Sequence, residues 1–191
     1  MNRSQSVFDM PLFRRKQKEY DEAALLLTEG KTKEAIEKLE QFLSGNPSHT
    51  HALTSMGVGL MQLQETPDPS SALTKKALEY LDRAAESDPK DPVPLFNKGV
   101  CLRNLGMLEE SLESFQSALE LEERLTLALL HTAEINYELE RWQDAVDYAR
   151  LALVRDPGLE GSMGWVADAM KNAGLLEDDE TSIQKELVRK A

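Results

Sequence analysis

A chain of 191 residues, 41% hydrophobic and 29% charged, has the length of one or two domains and enough apolar content for a buried core, which excludes wholesale disorder. Its formal net charge of −12 argues against sequence-independent nucleic-acid binding, which depends on neutralising phosphates, and would steer in basic partners. The lone cysteine, Cys101, excludes an internal disulfide, and the opening MNRSQSVFDM lacks the apolar core of a signal peptide. The uncharged stretch Asn46–Gln64 is broken by Pro, His, Ser and Gly, so no membrane insertion is expected, and the expected compartment is the cytoplasm.

In chain order, residues 1–15 stand apart as a basic, apolar arm. Residues 1–20 carry Arg3, Arg14, Arg15, Lys16 and Lys18 against Asp9 and Glu19, a net of +3, so the remainder holds −15. Two arrangements suit the arm. Residues 1–13 fold over an apolar groove, their own or a neighbouring molecule's, or Pro11 opens an extended first helix with Phe13, Tyr20, Ala24 and Leu27 in one stripe.

From residue 16 the sequence falls into helix pairs: 16–49, 50–91, 92–125 and 126–159, then a degenerate fifth pair over 160–191. The third is the clearest. Asp91 and Pro92 start its first helix, Gly106 marks the turn, and Leu108, Leu112, Phe115 and Leu119 make one apolar face of its second helix. The phase is regular, with 34 residues from Pro89 to Glu123 and 34 from Glu123 to Pro157. Pro47 to Pro89 is 42, so the second pair carries eight extra residues around QETPDPSS, where Asp68 and Pro69 predict a cap and first turn that lengthen its second helix and loop. GLEGSMGWVADAMKNAG predicts another first helix ending at Gly174. A last helix near 177–190, acidic at its start and basic at its end, is the expected solvating cap.

A two-helix unit of about 34 residues resembles the tetratricopeptide repeat. The residues agree with that family. Small residues sit mid-way along the first helices (Ala23, Gly57, Gly99, Ala133, Ala167) and open the second (Ala35, Ala77, Ser111, Ala145). Another follows two turns on (Ala84, Ala118, Ala152), with Phe42 as the departure, and a proline closes the unit at Pro47, Pro89 and Pro157, with Glu123 as the departure. The resemblance implies an all-α, right-handed superhelical solenoid of antiparallel helix pairs with a C-terminal capping helix. Gly in a helix costs roughly 0.5–1 kcal/mol relative to Ala, so Gly57 and Gly99 are expected where a neighbouring helix comes close.

The family's members are generally scaffolds or adaptors whose first helices line a concave groove. Here the groove residues implied are Tyr20, Ala24 and Leu27, then Thr54, Val58 and Met61, then Phe96, Val100, Arg103 and Asn104, then Leu127, Leu130, Glu134 and Tyr137. One subclass grips a chaperone's C-terminal carboxylate with Lys, Arg and Asn. The corresponding residues here are Thr54, Val58, Asn97, Leu127 and His131, of which Asn97 alone matches, and a carboxylate needs charge-assisted donors. The expected partner is therefore an apolar or amphipathic, possibly basic, protein segment. A dedicated assembly or secretion chaperone for such a segment, or a scaffold that self-assembles through the arm or the array ends, is the alternative.

No phosphate loop, nucleophile elbow or metalloprotease helix occurs, so neither an enzyme nor a cofactor is expected. The pair His49 and His51 straddles a turn with no further Cys or His beside it, which predicts solvated turn residues rather than a metal site. Cys101 is expected to pack as a small apolar residue, and Trp165 at the end of the stack.

Overall fold

The computed structural model describes residues 6–176, with side chains from residue 17 onward; the expected capping helix near 177–190 lies outside the described residues. Among the described residues nine α-helices follow in order: α1 (Ser6–Thr28), α2 (Thr32–Gly45), α3 (Thr50–Gln62), α4 (Ala72–Ser87), α5 (Val93–Asn104), α6 (Leu108–Leu121), α7 (Thr126–Glu138), α8 (Trp142–Arg155) and α9 (Val166–Asn172). A 3-10 helix, Pro157–Ser162, precedes α9, and no strand occurs among the described residues. The chain divides into two compact units, Met1–Leu105 and Gly106–Ala191, so the division falls at the turn inside the third helix pair.

In unit 1 each helix packs on the next, and α1 also touches α3, as α3 touches α5. The helices α1, α3 and α5 thus form one layer, and α2 and α4 the other. Small residues make the crossings close. Ala23, Ala35, Ala77 and Ala84 are fully buried, and Leu39, Leu53, Met56 and Leu81 fill the space around them. Each such fully buried leucine or methionine contributes about 1.5–3 kcal/mol. Gly57 shows why its own helix-propensity cost is tolerated: a Cβ there would lie 2.7 Å from Leu81 Cγ and 2.9 Å from the Ala77 carbonyl oxygen. No side chain fits between α3 and α4 at that point. Phe42 departs from the small-residue pattern. It is buried edge-on against His49, with ring centroids 5.0 Å apart, and tilted against Tyr20 at 6.1 Å.

In unit 2, α6 packs on α7, α7 on α8, and α8 on both the 3-10 helix and α9. Its core is Leu129, Leu130, Ala133, Ala145, Val146, Ala149, Ala152, Met163, Val166 and Met170, with Trp142 and Trp165 partly buried against it. Cys101, in unit 1, is buried as a small apolar residue would be, and burial pushes its thiol up to about 11.

The turns inside the first, third, fourth and fifth pairs share a positive-φ residue. Gly30, Gly106, Glu140 and Gly174 all have positive φ (74°, 74°, 58° and 69°), and the last three are spaced at the 34-residue period. After three of them the next amide reaches back five residues: Lys31 to the Leu26 carbonyl (2.9 Å), Arg141 to Asn136 (2.8 Å) and Leu175 to Met170 (2.9 Å). This is the Schellman closure, which satisfies the last helical carbonyls.

Three expectations need correction. Asp68 does not start α4. Its carboxylate accepts from Ser70 N–H and Oγ, both at 2.8 Å, inside the loop, and the cap is Ser71, whose Oγ accepts the Thr74 N–H at 3.0 Å. The insert therefore lengthens mainly the loop, pinned by Thr74 Oγ1 donating to the Asp68 carbonyl at 2.7 Å and by Ser71 Oγ donating to Gln64 Oε1 at 2.8 Å. The first helix of the fifth pair is not continuous. Its start winds as 3-10 and turns before α9, because Gly158, Gly161 and Gly164 each carry the glycine cost of a helix interior. His49 is no solvated turn residue; it caps α3, as described below. At the other end of the chain, α1 begins at Ser6, before Pro11, and crosses position 16 without a break, so residues 6–13 continue the first helix.

Candidate functional site

A cleft of about 350 Å³ opens on the α1–α3–α5 layer of unit 1. It is lined by Tyr20, Ala24, Leu27 and Thr28 of α1, by His51, Thr54, Ser55, Val58 and Gln62 of α3, and by Val93 and Asn97 of α5. Within each helix these residues are three and four apart (20, 24, 27; 51, 54, 58, 62; 93, 97), which keeps them on one face.

The polar groups of the lining are largely engaged inside the protein. Thr54 Oγ1 donates to the Thr50 carbonyl at 3.0 Å and Asn97 Nδ2 to the Val93 carbonyl at 2.8 Å, each four residues back along its own helix. The Tyr20 hydroxyl meets Ser55 Oγ at 3.3 Å, tying α1 to α3. Most of what remains toward the opening is methyl, methylene and ring surface. Not one Lys, Arg, Asp or Glu lines the cleft, in a chain where 29% of residues are charged. Asp91 stands just outside, its Oδ2 3.9 Å from His51 Nδ1 while its Oδ1 accepts the Val93 N–H at 2.9 Å and starts α5.

Of the sequence-derived groove residues, Tyr20, Ala24, Leu27, Thr54 and Val58 come together in this cleft, and Met61, Phe96, Val100, Arg103 and Asn104 are not among its lining. In unit 2, Leu127 is 51% exposed but Leu130 is 8% exposed and part of the core. Glu134 Oε2 lies 3.4 Å from His131 Nδ1. The Tyr137 ring packs against Trp142 at 5.4 Å and Trp165 at 5.0 Å. Thr28, His51, Ser55, Gln62, Val93 and, as a groove residue, Asn97 were missed by the sequence reading. For α3 the signal was available, since 51, 55 and 62 stand three or four residues from Thr54 or Val58.

The cleft's edge is built on His49. Its Nδ1 accepts the Ala52 N–H at 3.2 Å, which caps α3, and its ring lies 5.3 Å from Tyr20 and 6.2 Å from His51. Burial, and secondly the neighbouring His51, lower its pKa below the usual 6.5. No cluster of three or more potential metal ligands exists among the described residues. No described helix is long and apolar enough to cross a membrane.

Known proteins resemble this arrangement. Residues 80–113, from the middle of α4 through α5 into α6, match the tetratricopeptide repeat model. None of the curated proteins matches the chain in sequence. Among solved structures, a crystal structure of the MamA protein superposes with a TM-score of 0.71 at 16% identity, covering 92% of this chain and 91% of that one. A thermophilic TPR protein of Thermus thermophilus, TTC0263, gives 0.68 at 20% identity, covering 82% and 81%. A MamA RS-1 double mutant gives 0.69 at 15%, covering 92% and 95%. At such identities the likeness is one of fold. Residues 80–113 thus match a tetratricopeptide repeat, and the helix pairs of the described residues share the helical-repeat fold of these structures.

Proposed function

We propose that this protein is a non-catalytic interaction scaffold that holds an apolar or amphipathic segment of a partner protein in the cleft of unit 1. The observation that carries this reading is the uncharged lining, eleven residues from three helices without a single Lys, Arg, Asp or Glu. A carboxylate terminus or a phosphate would need charge-assisted donors there. An apolar side chain needs only surface to exclude water, and about 25 cal/mol per Å² of apolar burial rewards it. A volume of about 350 Å³ suits one or two large side chains of a longer ligand rather than a whole cofactor. The net charge of −12 favours a segment with basic flanks by long-range steering.

Selection of peptides from a displayed random library tests the reading. Peptides with one or two large apolar anchors and few acidic residues are expected to bind the full chain. Val93→Glu should abolish their binding without loss of helicity, because Val93 lines the cleft yet is 40% exposed. Peptides that bind the variant as tightly as the parent would place the binding surface elsewhere.

A further inference from the structure

We infer that the cleft of unit 1 has an acid-sensitive wall: His49 caps α3 through an imidazole nitrogen that serves as an acceptor only while the ring is neutral, so acidification loosens the first turn of the helix that lines the cleft. The functional meaning rests on the cleft being the partner site; the switch itself rests on geometry.

His49 Nδ1 accepts the Ala52 N–H at 3.2 Å, which places the proton of the neutral ring on Nε2. Protonation puts a hydrogen on Nδ1 and removes the acceptor. The Ala52 N–H then loses its cap, and a cation faces the positive end of the α3 dipole. The ring has little room to choose another side chain; its own backbone favours the charged form, but less than burial and His51 oppose it. The ring is held edge-on to Phe42 of α2 at 5.0 Å, against Tyr20 of α1 at 5.3 Å and against His51 of α3 at 6.2 Å.

The charged and titratable groups around it are few. Glu19 and Glu22 of α1 and Lys38 of α2 line a shallow recess with Phe42. Arg83 of α4 donates to the Pro47 carbonyl at 3.4 Å. Asp91, just before α5, faces His51 at 3.9 Å rather than His49, which has no ion-pair partner among the described residues. A proton arriving on His51 therefore meets a carboxylate, whereas one arriving on His49 meets a phenyl ring, a phenol and a second imidazole.

The direction of the effect follows. The folded-state pKa of His49 lies below its ordinary 6.5, so the unfolded chain binds that proton more readily. The stabilisation is fully present above about pH 6.5 and is lost as the pH falls through the lower, folded-state value. The turn that loosens carries His51 into the cleft and leads directly into Thr54 and Ser55 of the next turn, and Ser55 is the residue that holds the Tyr20 hydroxyl.

Amide exchange of Ala52 in the full chain, expressed as protection relative to the unfolded rate, tests this without any partner. Between about pH 7.5 and about pH 5, protection in the parent should fall roughly tenfold, the factor carried by one lost helix cap. In His49→Asn, whose carboxamide oxygen caps but does not titrate, protection should stay level; His49→Ser serves the same purpose should the Asn variant fold poorly. His51→Gln should keep the fall. Level protection in the parent, an equal fall in both cap-retaining variants, or disappearance of the fall in His51→Gln would each overturn the inference. Failure of peptide binding leaves this measurement untouched, so the two readings fail separately.

Discussion

Unit 1 and unit 2 are built from the same periodic small residues yet end with different surfaces. Both bury alanines at the helix crossings: Ala23, Ala35, Ala77 and Ala84 in one, Ala133, Ala145 and Ala152 in the other. In unit 1 the face between α1 and α3 is left with Tyr20, Leu27, Thr54 and Val58 around an open cleft. In unit 2 the matching positions on α7 are consumed by packing, Leu130 by the core and Tyr137 by two tryptophans. The small residues therefore fix how closely helices approach, and the large neighbours decide whether the approach leaves a cleft or closes it.

Four substitutions probe that contrast. The largest effect is expected for Leu130→Glu, which buries a carboxylate at an 8% exposed core position and should cost about 3 kcal/mol or more. Leu127→Glu, three residues earlier and 51% exposed, should change stability by less than about 0.5 kcal/mol. Both tryptophans, Trp142 and Trp165, lie in unit 2, so denaturant titration followed by their fluorescence reads the pair directly. If both carboxylates cost the same, the division between core and surface on α7 is misplaced.

In unit 1, Gly57→Ala sets a methyl against Leu81 and the Ala77 carbonyl and should destabilise by about 1–3 kcal/mol, measured by circular dichroism during urea unfolding. A neutral result would mean that the α3–α4 crossing has slack. The one substitution expected to act with opposite sign is Glu140→Gly. Glu140 holds φ of 58° where Gly30, Gly106 and Gly174 hold the same turn, so glycine there should raise stability by about 0.5–1 kcal/mol. A loss instead would show that the Glu140 side chain contributes more than its backbone strain costs.

Much of the fold was legible because spacing carries it. The alanines and glycines at the crossings and the turn glycines recur at a period that arithmetic on the chain exposes. The places where the reading failed are those where side chains compete locally with that period. In the insert both Asp68 and Ser71 are chemically competent caps, and the hydrogen bonds that tie Gln64 to Ser71 and Thr74 go with the choice of Ser71. From sequence alone His49 reads as a solvent-facing turn residue, because nothing in the linear order places Phe42 and Tyr20 over its ring. The resemblance put Tyr20, Ala24, Leu27, Thr54 and Val58 together, and these line the cleft, but whether a position such as Leu130 faces outward depends on Val146 and Ala149, which lie on another helix of the same core.

The buried Cys101 gives the molecule a practical property. It is the single thiol in the sequence, and burial both covers it and pushes its pKa up to about 11, so it stays the unreactive thiol at neutral pH. Maleimide dyes will pass it by in the native state. Cysteines installed at exposed sites such as Leu25 in unit 1 and Val154 in unit 2 would then take fluorophores on an otherwise unaltered background, so that energy transfer between the dyes reports the spacing of the two halves in solution.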